Sequence, residues 1–235
     1  MTSAVGSGLA AAFGAAARLR RGRPLHPAGR LFEAELRLHG TSRHWGAPFL
    51  DQRMELHGLA RLSRAAGLPP PLPDILGLAL RWHQEGADAE LLLATTGHTP
   101  LGRRLLRPAT AWAPGLYGSL FPYAVAGRRV WLAALPQADR PLPARFGPLT
   151  RAAEAAPLLF DLLVAGRTGP WHIFGQVGLV APAMRDAELP TRFDPTRHPI
   201  PGLRPAGWGQ RVRGAAYAAA QRTPERAAAK AGIIR

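Results

Sequence analysis

Arg213 and Tyr217 stand four residues apart in an Ala-rich stretch near the C-terminus, residues 210–222. On a helix that spacing puts a guanidinium and a phenol on one face. A phenol of ordinary pKa, near ~10, is neutral at pH 7, and a neighbouring guanidinium favours its anionic form by charge-assisted hydrogen bonding. Tyrosinate is one of the few axial ligands that proteins offer to haem iron. Taken alone, Tyr217 reads first as a packing residue of an Ala-rich helix, so the rest of the chain has to decide.

The chain has 235 residues and no cysteine. Disulfides and thiolate ligands are therefore excluded, and a reducing cytoplasm is the expected compartment. Any metal must be held by His, Tyr, a carboxylate or a macrocycle. The formal charge is +15, and Lys230 is the only lysine, so the excess is almost wholly guanidinium. Such a balance fits nucleic acid or an anionic surface, but the arginines form no long block and do not interleave with aromatics. The expectation is that they serve no specific nucleic acid and that a few meet one particular anion. Residues 7–23 are apolar first and basic afterwards, the reverse of a secretory signal. Residues 1–22 read as an N-terminal helical segment, and no apolar run is long enough to span a membrane.

Prolines and a glycine around His26 mark a loop entering a strand. Residues 30–39 alternate apolar with polar, the period of a half-buried strand. Residues 40–56 read as an irregular connection, and residues 57–64, 75–82 and 90–96 as three further strands. Two β-type runs, 117–125 and 128–133, flank Ala126-Gly127 as a hairpin. The spacing predicts a helix over 150–165, ended by Gly166, then a strand over 171–180 and a short one over 185–193. Pro195, Pro199, Pro201 and Pro205 make an extended crossing segment that leads to the Tyr217 helix, and Thr223-Pro224 starts a last helix over 223–235. Strands dominating the middle predict an α+β protein: a closed antiparallel β-barrel of about eight strands, with helices mainly in the C-terminal third.

Several pieces share one known order. Arg23-x-x-His26 precedes a strand; Arg61-Leu62-Ser63 lies in the next; Asp74, Gly77, Ala79, Arg81 and Trp82 follow, then Glu90-Leu91-Leu92. Tyr117-Gly118-Ser119, Pro170-Trp171, Gln176-Val177, Phe193-Asp194-Pro195, Pro201-Gly202-Leu203 and Arg213-x-x-x-Tyr217 complete the series. Over residues 23–222 this resembles the core of the catalase family, without its long arm or its C-terminal extensions. The resemblance implies ferric haem b, with Tyr217 as the iron ligand, Arg213 beside its phenolate and His26 as the acid and base on the opposite side. It also implies that Leu25 roofs the haem, that Ser63 orients His26, and that Arg23, Arg61 and, less closely matched, Arg222 hold the propionates.

Two departures qualify it. The family has an asparagine in the fourth strand where this chain reads Leu93-Ala94-Thr95-Thr96, and Gln221 stands for its histidine after the tyrosine. Thr95 or Thr96 is then the candidate hydrogen-bond donor to peroxide. The expected activity is oxidation with hydrogen peroxide or organic hydroperoxides, with peroxide and a small organic co-substrate as partners and a homo-oligomer left open. A non-catalytic haem store or sensor is the alternative, and an Arg-rich nucleic-acid binder that has lost haem is a third. His39, His44, His57, His83, His98 and His172 have no partner at ligand spacing.

Overall fold

The computed structural model describes residues 28–67, 69–182 and 193–206. Its strands are β1 (Ala28–Leu38), β2 (Met54–Arg64), β3 (Leu76–Gln84), β4 (Ala87–Thr96), β5 (Ala111–Ala113), β6 (Leu116–Gly118), β7 (Tyr123–Val125) and β8 (Arg128–Pro136). After these come β9 (Leu142–Pro143), β10 (Leu158–Ala165), β11 (His172–Pro182) and β12 (Arg204–Pro205), with helices α1 (Pro48–Asp51) and α2 (Phe146–Ala155).

The sheet runs β10-β11-β1-β2-β3-β4-β6-β8 with every pairing antiparallel, and β8 pairs back onto β10. That last pairing closes the expected eight-stranded barrel. Closure leaves none of these eight strands as a sheet edge. Period-two alternation then decides which side chains face inward. On β1, Phe32, Ala34, Leu36 and Leu38 are buried core while Glu33 and Arg37 are exposed. Ala60 and Leu62 of β2, Leu78, Leu80 and Trp82 of β3, and Leu91 and Leu93 of β4 continue the same core. Phe49 of α1 closes one end of the barrel, stacked on Trp82 at 4.9 Å and edge-on to Phe174 at 5.5 Å. Leu149 and Ala153 of α2 join the core as well. Among the described residues the barrel interior is filled with side chains.

The expected helix over 150–165 is a correction. The helix is α2, Phe146–Ala155, and residues 158–165 are strand β10. Pro157 cannot continue the helix because it lacks an amide donor and its ring clashes with the preceding turn. Beyond it Phe160, Leu162 and Val164 face the core, while Leu163 lies outward beneath Leu116 and Ala133. A strand apolar on both sides mimics helical spacing. Residues 40–56 likewise hold α1 and the start of β2. The run expected over 117–125 divides into β6 and β7, and the hairpin proper joins β7 to β8. Its two-residue turn has φ of 43° at Ala126 and 75° at Gly127, the left-handed conformations that a tight hairpin of matching twist requires. The two helices described precede the last third; those expected over 1–22, around Tyr217 and over 223–235 fall outside the described residues, as does the strand expected over 185–193 apart from Phe193.

Candidate functional site

The registers place two expected residues on one outer patch. Gly29, Ser63, Gly77 and Ala94 stand in line across β1, β2, β3 and β4, and Leu31, Arg61, Ala79 and Leu92 form the next row. Arg61 and Ser63 thus share the outer face, as alternate residues of one strand must. Ser63 is 4 % exposed and Leu31 8 %. The Arg61 guanidinium lies over the backbone of Gly29, where an added Cβ would stand 2.6 Å from Cζ. Only glycine allows that approach. Burial lowers the pKa of Arg61 from the ordinary guanidinium value, which leaves a partly desolvated cation on a floor of small and apolar residues.

The two threonines separate. Thr95 faces the barrel interior, where its hydroxyl accepts a hydrogen bond from the Leu76 amide at 3.2 Å. It lies on the face of β4 opposite to Ser63. Thr96 faces outward, is 2 % exposed, and its hydroxyl has no hydrogen-bond partner among the described residues. That hydroxyl packs on Gly118, where a Cβ would come within 2.4 Å of it. Ala94 occupies the position level with Ser63 on that face.

A second cluster fastens the crossing segment to the same face. Glu90 is fully buried and meets Arg81 with Nη2 at 2.6 Å and Nε at 2.7 Å. Its carboxylate also meets His198 Nδ1 at 3.2 Å and accepts from the Asp194 amide, while the Glu90 amide donates to the His198 carbonyl at 2.9 Å. Burial raises the Glu90 pKa, opposed by Arg81 and His198. Phe193 lies under the Arg81 guanidinium at 5.0 Å. Sequence reading matched Arg81, Glu90 and Phe193 only as pattern elements; an acid and a base facing each other across paired strands was the signal available.

Arg23, Leu25, His26, Arg213, Tyr217 and Arg222 lie outside the described residues. Elsewhere, a cleft of about 320 Å3 opens between Arg64, Pro71, Ala144 and Arg145. Arg64 there is already held by the Ala144 carbonyl at 2.8 Å and faces Asp74 at 3.6 Å. No group of three or more metal-ligating His, Asp or Glu side chains occurs among the described residues.

A closed eight-stranded antiparallel barrel with an extended segment crossing its outer face is a catalase-like fold. The chain is similar to a fungal catalase of known crystal structure at a TM-score of 0.59 and 12 % identity, over 81 % of this chain and 57 % of that one. The chain thus spans little more than half of that catalase. No protein-family model matches the sequence, and no curated protein does.

The described residues fit haem as far as they reach. A propionate-bearing, otherwise apolar plane needs a cation on a close-packed apolar floor, and the Arg61 guanidinium over Gly29 beside Leu31, Ala79 and Leu92 offers that arrangement.

Proposed function

We propose that the chain is a haem-dependent oxidoreductase that uses hydrogen peroxide or organic hydroperoxides, a catalase-related peroxidase or peroxygenase with weak to moderate catalase activity. The observation that carries this reading is the Arg61 guanidinium seated over Gly29, next to buried Ser63, on the outer face of a catalase-like barrel. Arg23, Arg61 and Arg222 would hold the propionates of haem b, Leu25 would cover it, and Tyr217 would ligate the iron with Arg213 stabilising the phenolate. Bound there, haem supplies the ferric centre at which a peroxide oxygen–oxygen bond is activated. The His26 imidazole takes the proton from the peroxide and returns it to the departing oxygen, acid–base work worth ~10²–10⁴-fold. The Ser63 hydroxyl orients that ring. Of the two threonines, Thr96 is on the same outer face as Ser63, while Thr95 points into the barrel.

The absence of the asparagine from Leu93-Ala94-Thr95-Thr96 favours organic peroxides or co-substrates over efficient dismutation. One missing neutral hydrogen bond removes only ~0.5–1.5 kcal/mol of positioning. The same absence favours a second reading, a haem store or sensor without turnover. An absorption spectrum of haem-loaded wild type and Tyr217→Phe tests the ligand. Oxygen evolution and dye oxidation, with hydrogen peroxide and an alkyl hydroperoxide, test the chemistry. An unchanged spectrum in Tyr217→Phe sinks the ligand assignment; a tyrosinate spectrum with no activity above free haem leaves the store or sensor.

A further inference from the structure

Three chain segments far apart in sequence converge at the end of the barrel where β1 finishes, the opposite end from Gly29. The loop 41–48 meets the β7–β8 hairpin at Gly46, where a Cβ would lie 2.6 Å from the Ala126 methyl, and Arg128 Nη1 reaches the His44 carbonyl at 3.4 Å. The crossing segment meets the same loop at Gly202, whose Cβ would stand 3.1 Å from the Ala47 methyl. It then adds β12 to β7, so that Arg204, Ala124 and Arg129 lie in one cross-strand row.

The convergence gathers Arg43, Arg128, Arg129 and Arg204, all exposed, and none of them has an ion pair among the described residues. Asp51 is the acid at hand, but its oxygens are taken by the amides of Trp45, Gly46 and Ala47 and by His44. Arg129 and Arg204 share one face of the hairpin while Arg128, the next residue on β8, points to the other and reaches the 41–48 loop. The four exposed cations thus rim this end of the barrel and give it a positive potential that attracts an anionic partner.

We propose that this end of the barrel binds the phosphate backbone of nucleic acid without regard to sequence. Guanidinium groups pair two-pronged with phosphate, and exposed charges carried by three separate chain segments suit a repeating phosphodiester rather than one small anion in a pocket. A lipid surface fits less well, because among the described residues the aromatics nearby, Trp45 and Tyr123, are 1 % and 2 % exposed and offer nothing to insert. The inference stands apart from haem, whose candidate face lies towards the other end of β1.

Fluorescence anisotropy of the full chain with a short labelled DNA duplex tests it. Four phosphate contacts give a log–log salt slope near −3.6, so affinity should fall about 100-fold between 50 and 200 mM salt. The triple variant R128E/R129E/R204E should lose most of that binding and slope, while R107E/R140E/R151E, equal in charge change and elsewhere on the surface, should retain the greater part. Circular dichroism checks folding, and Arg→Gln versions replace any variant that fails to fold. Absent duplex binding at low salt overturns the proposal, as does equal loss in both triple variants, which makes the charge diffuse. Binding to phosphatidylserine vesicles without duplex binding overturns it in favour of a membrane.

Discussion

Arg81 and Glu90 meet across β3 and β4 with two guanidinium nitrogens on one carboxylate oxygen, at 2.6 and 2.7 Å. Because the same carboxylate receives the Asp194 amide and faces His198, this strand-to-strand pair also decides where the crossing segment lies. Removing the buried carboxylate takes away the Arg81 pairing and the acceptor of the Asp194 amide together. Glu90→Ala should therefore lower unfolding free energy by about 3–5 kcal/mol in a denaturant titration. Loosening of 193–206 should appear as faster amide exchange there.

The pH dependence of that carboxylate has a definite sign. Glu90 has a raised pKa in the folded protein, with burial as the largest cause. Its contribution is therefore complete below the unfolded value near ~4.3 and is lost as pH rises through the folded value. Glu90→Gln stays neutral throughout, so its stability relative to wild type should improve as pH is raised from acid towards neutral. A difference that is flat or falls with pH in paired denaturation curves would contradict this.

Gly29→Ala puts a methyl where the Arg61 guanidinium lies. The obstacle is the far end of a flexible side chain, which can swing away, so folding stability should change by less than about 1 kcal/mol. Haem affinity should fall by on the order of 10- to 100-fold, the equivalent of one charge-assisted contact of ~1.5–3 kcal/mol. Haem titration of the two proteins compares them directly.

Gly118→Ala brings a methyl to 2.4 Å from the Thr96 hydroxyl and 3.4 Å from its Cβ. Neither strand can retreat within a closed barrel, so overpacking should cost about 1–3 kcal/mol. Adding Thr96→Ala removes the obstacle and should restore much of that loss. Thermal unfolding of the single and double variants measures the coupling.

His26→Ala should slow peroxide turnover by roughly two to four orders of magnitude in the haem-loaded protein, since proton transfer passes through the imidazole. Stopped-flow kinetics with an alkyl hydroperoxide gives the rate. Equal rates in variant and wild type would remove His26 from the mechanism.

The sequence by itself determined the barrel and much of its order. Alternation in residues 30–39 is a local property, because successive strand side chains face opposite ways, and β1 follows it. Arg61 and Ser63 share a face for the same reason, as alternate residues of β2. Alternation could not reveal that residues 158–165 form a strand, because β10 is apolar towards both the core and the outer layer and loses its period. Tertiary structure alone decided three further things. Pairing register put Thr95 inside and Thr96 outside, since one residue of offset reverses a side chain. Antiparallel pairing of β3 with β4 set Arg81 opposite Glu90. Arg43, the neighbouring Arg128 and Arg129, and Arg204 come to one end of the barrel because β12 pairs with β7, β7 with β8, and the Arg128 side chain reaches the loop that carries Arg43.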